Sequence, residues 1–180
     1  YWLVIVAACL GALANLHPYE LYVNTSLTLG MSIALFTLFV ARGWWGFAVA
    51  IPAGFMNMDY LGRYYSFIIY MIEMLSLTYF INSRSGNRLL EKGHIIIVGF
   101  LFWLLIGAPL HYLAHYFLVG LTHIEAFTLA EKTLLNGVVN ILIAFIAYSA
   151  LALLQNKREM KRAAVSIQAL TLSTLSLIHI

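Results

Sequence analysis

Charge is what this sequence has least of. Asp, Glu, Lys and Arg make up 9% of its 180 residues, where a soluble domain carries about 25%. A chain that is 63% apolar, with a mean hydropathy of +0.90, cannot clothe itself in polar groups against water. Lipid is its expected solvent. Cysteine is scarcer still. The lone Cys9 lies in an apolar run, which excludes a disulfide framework and a cysteine-based metal site. Also missing are Gly-x-Ser-x-Gly, a P-loop and His-Glu-x-x-His, so nothing points to a hydrolase, a kinase or a nucleotide site in this segment. The pI near 9.0 does not imply nucleic acid, because the basic residues sit in short loops between apolar runs. No cofactor and no nucleic-acid partner is expected.

What the chain does have is apolar length. A membrane span needs about 20 apolar residues, fewer at a thin or tilted site. Six runs qualify as predicted helices: Tyr1–Leu16, Thr25–Ala41, Trp44–Met58, Tyr64–Asn82, His94–Val119 and Lys132–Gln155. The expected fold is an all-α, polytopic membrane helix bundle of about six transmembrane helices. The third helix is short and carries Pro52 and Gly54, which suggests a broken or re-entrant element. Pro109 removes a backbone donor from the fifth and should kink it. Thr122/Glu125 and Thr128/Glu131 both fit capping-box spacing, so a short surface helix is expected before the sixth span.

Lysine and arginine fix a predicted orientation. Alternating six spans places Arg42, Arg84, Arg88, Lys92, Lys157, Arg158, Lys161 and Arg162 on one side, with only Arg63 and Lys132 opposite. Cations concentrate on the cytoplasmic side, so a bacterial inner (plasma) membrane protein with both ends cytoplasmic is expected. The integral-membrane domain then spans 1–155, and 156–174 is a basic hinge with the start of a further segment, a truncated seventh span from Ala163. The final six residues, 175–180, read as translated transposon-end sequencing adapter, so the native sequence is expected to end its match near Thr174 and to continue differently in the natural protein.

A few polar groups interrupt the apolar runs. Glu73 lies mid-helix, where an ionisable group must face the bundle interior or a wet cavity. Ser66, Tyr70, Glu73 and Ser76 share roughly one face. This stripe reads either as a ligand or proton site or as a hydrogen-bonded glue between helices. His111 and His115, four apart, share a face with Trp103 and Gly107. Two histidines at that spacing are weak metal candidates and more simply interfacial aromatics, and His17, Glu20, Asp59 and His123 are the outer residues that could complete a ligand set. Lys132, Asn136 and Asn140 give the sixth helix a polar face. Asn140 suits packing between helices, while Lys132 and Asn136 suit an anionic or carbonyl group of a ligand. His17 and Glu20 flank Pro18 in a turn that ends the first helix. The ligand-binding candidates are therefore Glu73, Tyr70, His111, His115, Lys132, Asn136, Asn140, His17 and Glu20. No catalytic residue is assigned.

Four segments together carry a resemblance: His17–Leu21, the Glu73 helix, Phe102–Leu110 with its Phe-Trp-Leu-Leu-Ile-Gly-Ala-Pro-Leu, and Lys132–Asn140 with Lys-x-x-x-Asn-Gly-x-x-Asn. Over most of Asn15–Leu154 the chain resembles the N-terminal integral-membrane sensor region of bacterial sensor histidine kinases and diguanylate cyclases. The resemblance implies a non-catalytic sensing module, a small ligand of unnamed chemistry, a cytoplasmic signalling domain in cis after the hinge, and a homodimer as a compatible assembly. Met56–Tyr60 lacks the Trp-x-His-Pro of such regions, so no ligand carries over. The competing expectation is a substrate-binding membrane subunit of a vitamin-type uptake transporter, which would use the same outward polar groups as a substrate pocket.

Overall fold

The computed structural model describes residues 2–16, 19–22, 25–61 and 64–155, with the backbone alone at 19–22, 25–26, 57–61 and 155. His17, Arg63, the Lys157–Arg162 hinge and the 156–180 region lie outside the described residues. Seven helices carry the fold among the described residues: α1 (Trp2–Leu16), α2 (Gly30–Ala41), α3 (Trp45–Leu61), α4 (Tyr64–Asn82), α5 (Arg84–Glu91), α6 (Ile95–Leu118) and α7 (His123–Gln155). A small antiparallel hairpin, β1 (Tyr19–Tyr22) with β2 (Thr25–Leu27), joins α1 to α2. By length and composition α4, α6 and residues 123–154 of α7 can each cross a membrane. The first two helices and residues 45–56 of α3 are apolar but shorter.

The shortest apolar helix is the most enclosed. α2 packs against α1, α3, α4 and α7, and Met31, Ala34, Leu35, Leu38 and Phe39 all lie in the core. Twelve residues reach only about 18 Å. That is less than a hydrocarbon layer, and neighbouring helices cover both its faces. Close approach to α3 depends on Gly46, where a Cβ would meet Leu38 and the Ala34 carbonyl. At the far end of this pair, Asn82 donates from Nδ2 to the Gly43 carbonyl (2.8 Å) and accepts from the Gly43 N–H (3.0 Å). The clasp ties the α2–α3 turn to the end of α4. Gly43 sits there at φ +61°, a left-handed conformation that glycine adopts freely.

Several elements differ from their predicted form. The second helix starts at Gly30, five residues after the predicted Thr25, because Thr25–Leu27 pairs with β1. Glu20 falls in β1, and its side chain is outside the described residues. α3 runs through Pro52 and Gly54 as one helix rather than a broken one. The basic loop after α4 is itself a helix, α5, capped by the Ser83 hydroxyl, which accepts from the Gly86 N–H (3.1 Å). Gly86 presses on the Phe80 and Ile81 backbone, and Leu90 is buried. Arg84, Arg88 and Lys92 face outward.

The sixth predicted span is longer than expected. α7 begins at His123, nine residues before Lys132, so the anticipated surface helix and the span are one element. The cap has the expected chemistry: Glu125 Oε2 accepts from the Thr122 N–H (3.0 Å) and from Thr122 Oγ1 (2.7 Å). The turn before it is tight. Tyr116 stacks on His123 with ring centroids 4.3 Å apart, and the Tyr112 hydroxyl meets His123 Nδ1 at 2.5 Å.

Candidate functional site

The polar residues of the apolar runs separate into two groups. One serves the buried start of α2. Leu29 offers that end no side-chain cap, and four N–H groups at any helix start lack partners within the helix. Neighbouring helices supply them. Asn15 Oδ1, from α1, accepts from the Gly30 N–H (2.7 Å), while its Nδ2 donates to the Ala53 carbonyl of α3 (2.8 Å). Asn140 Oδ1, from α7, accepts from the Ser32 N–H (2.9 Å) and from the Ser32 hydroxyl (2.5 Å). Its Nδ2 donates to the Thr28 carbonyl (3.0 Å) and the Asn136 carbonyl (2.8 Å). Asn136 accepts from the Thr28 N–H (3.3 Å) and donates to the Thr28 hydroxyl (2.7 Å). These amides therefore hold helices together, as expected for Asn140. Asn136 had been expected to suit a ligand. The contribution of Asn15 was missed in sequence, although a lone amide in an otherwise apolar run was the available signal.

The second group is ionisable and lies between α4 and α6. Glu73 is 3% exposed. Counting about 1.5 Å per residue back from Asn82, it sits about 14 Å along α4, near the middle of a helix long and apolar enough to cross a membrane. Its Oε1 lies 3.5 Å from His111 Nε2 on α6, a pair whose side chains are 4% and 14% exposed. At that length the contact is electrostatic rather than a formed hydrogen bond. Among the described residues Glu73 Oε1, His111 Nδ1 and the Tyr70 hydroxyl are buried without a hydrogen-bond partner. His111 and His115 meet edge-to-face at 5.9 Å, and His115 meets Tyr65 of α4 in the same way at 5.6 Å. Tyr65, Glu73, His111 and His115 thus form one line of titratable side chains between α4 and α6, whereas the Tyr70 ring packs against Gly54 of α3. Three of the four in the line, Glu73, His111 and His115, are candidates from the sequence.

Small residues make the approach feasible. At Gly107 a Cβ would stand 3.0 Å from Glu73 Oε1 and 2.6 Å from Trp103 Cδ1. At Gly137, on α7, it would collide with the Trp103 indole. Trp103 is 1% exposed and lies between these two glycines, directly below the pair. The backbone here is wound more loosely. Pro109 has no N–H to give, and the turn before it widens, the Ala108 N–H reaching the Trp103 carbonyl five residues back. A second wide turn covers Ala114–Leu118 around His115. Near the expected kink, α6 carries two π-helical turns, one on each side of His111.

Lys132 is half-buried on α7. Among the described residues no group of three His, Cys, Asp or Glu side chains is placed to hold a metal ion. Comparison with known families, curated proteins and solved structures finds no match.

Proposed function

We propose that this chain is a membrane-embedded sensory module of a bacterial plasma-membrane receptor, itself non-catalytic. It would make six crossings, with the Arg42, Arg84, Arg88 and Lys92 end in the cytoplasm and the hinge at Lys157–Arg162 leading to a signalling domain. The observation that carries this reading is the buried Glu73–His111 pair, held between two helices inside the bundle. An ionisable pair at that depth is costly and serves function more often than packing. The resemblance of Phe102–Leu110 and Lys132–Asn140 to sensor regions supports the same reading.

The surrounding elements are suited to a two-state response. A π-helical turn stores one extra residue, and resolving it rotates the adjoining half-helix by about 100° and shifts it by about 1.5 Å. The turn at Trp103–Gly107 lies against Glu73, and Trp103 lies against Gly137 of α7. α7 then runs unbroken to Gln155, next to the hinge. A stimulus that binds one state of the pair better biases the equilibrium by that difference in affinity. The transport reading needs Asn136 and Asn140 available to a substrate, and both are engaged with Thr28 and Ser32.

Sequencing the gene beyond the codon for Thr174 tests the proposal. An in-frame kinase or cyclase domain is expected, with Glu73→Gln fixing its output at one level. A stop codon just after α7 would overturn it.

A further inference from the structure

The line of titratable groups runs from Glu73 toward one end of the bundle. From Glu73 toward the α6–α7 turn it continues through His111, His115 and Tyr65. His111 stands only seven residues before Leu118, about 10 Å from the end of α6. Toward the opposite end, where Asn82 and α5 lie, the space below the pair is filled by Trp103, Met74, Leu77, Ile81, Ile95 and Ile141, none more than 2% exposed. The Thr78 hydroxyl on that side is buried and does not titrate in the ordinary range. An apolar plug of this thickness excludes water, whereas imidazoles and phenols pass protons.

We propose that Glu73 and His111 form a proton-binding site addressed from the α6–α7 end of the bundle, so that the module responds to acidity in the compartment on that side. Without the proton, the pair is a carboxylate beside a neutral imidazole and carries one net negative charge. A proton arriving from water forms either the O–H bond of Glu73 or the N–H bond at His111 Nε2, and the pair becomes neutral. No other bond forms or breaks. Low polarity around the pair makes the difference between these states large. In the charged state the carboxylate attracts donors and in the neutral state it does not, and the element placed to feel the difference is the Trp103–Gly107 turn, since a Cβ at Gly107 would stand 3.0 Å from Glu73 Oε1.

Few other charges face the pair. α2 and the described side chains of α3 include no Asp, Glu, Lys, Arg, His or Tyr. α4 adds Tyr65 and Tyr70, with Tyr64 and Tyr79 exposed. α6 adds His115, Tyr112 and Tyr116. Toward this end α7 brings the half-buried Lys132 and the exposed Glu131, Glu125 and His123, and lower down the half-buried Tyr148. The response half of the proposal rests on the sensory reading above, while the proton site stands without it.

Infrared difference spectra of the whole chain in lipid bilayers, taken while bulk pH is stepped, read the proton directly. Besides the bands of the six other Asp and Glu carboxyls, one titrating carboxylic-acid C=O band is expected in the native chain that Glu73→Gln alone removes. His111→Gln should move its midpoint by at least one pH unit, a tenfold change in proton affinity, and His123→Gln should leave it in place. In vesicles selected for one insertion direction, acidifying the compartment that holds His123 should raise the band, and acidifying the other should not. Should Glu73→Gln fail to insert, the His111→Gln midpoint decides. Absence of that band, its survival in Glu73→Gln, a midpoint indifferent to His111, or a response to the opposite compartment would each overturn the proposal. A titrating band accompanied by no pH-dependent movement of the Gln155 end would leave the proton site intact and remove the sensory reading.

Discussion

Asn140 uses both ends of its amide inside the bundle, one on Ser32 and the other on the Thr28 carbonyl. Replacing it by Ala strands the Ser32 hydroxyl and the Thr28 carbonyl, each worth about 1–3 kcal/mol when left unmade in a buried site, less where the unfolded chain in lipid finds partners, while the Ser32 N–H keeps the Leu29 carbonyl (3.1 Å). Asn140→Ala is therefore expected to lower unfolding stability in detergent titrations, and Asn15→Ala likewise, since both amides cap the same helix start. At the ionisable pair the expectation differs. Glu73→Gln removes a buried charge while keeping the shape, so stability should hold or rise while the response to stimulus is lost. A denaturation midpoint measured beside a signalling readout separates the two classes of residue. Glu73, Tyr70, His111 and His115 were legible as candidates because polar groups in an apolar run must face inward. The bonds of Asn136 to Thr28 were not legible, because nothing in its own helix reveals that α2 starts beside it without a cap.

At the scale of elements, the α6–α7 contact is set by size. Trp103 occupies the space left by Gly107 and Gly137. Gly137→Val would drive a branched side chain into the indole, and overpacking of this kind costs about 1–3 kcal/mol. The expected result is a blue- or red-shifted Trp103 emission together with lower stability, while Gly120→Ala, at an exposed turn with open space around it, should leave that emission unchanged. Helices α4 and α6 were readable within a residue or so, being long and uninterrupted in hydropathy. The start of α2 was not, because Thr25–Leu27 carries no charge, Gly or Pro to set it apart from the apolar run that follows, and its strand pairing depends on β1. The start of α7 was misplaced because two capping patterns lie in tandem, and the Thr122–Glu125 box acts as a helix start rather than a separate turn. α5 was hidden by its charge: Arg84, Arg88 and Lys92 read as loop, yet Ser83 caps the segment and Leu90 anchors it. Ser83→Ala should fray α5 at a cost of about 1 kcal/mol, seen as faster amide exchange confined to Arg84–Glu91.

For the whole molecule, exposure is distributed as lipid would have it. Leu3, Ile68, Leu105, Phe117 and Leu154 face outward, while Glu73, Asn140 and Ser149 face inward. In water this arrangement would leave apolar surface far beyond what a monomer tolerates. In a bilayer it places apolar side chains against acyl chains and brings the few polar groups together within the bundle. The central claim is that the α4–α5 end and the α6–α7 end lie on opposite sides of a membrane. Cysteine labelling in sealed vesicles tests it most directly. In a Cys9→Ser background, single cysteines at Ser85 and at Ile124, both exposed, are treated with a membrane-impermeant maleimide. With one insertion direction, only one of the two should react before the vesicles are opened, and both afterwards. Equal labelling of both sites in intact vesicles, or a chain washed off the membrane by alkaline carbonate, would contradict it.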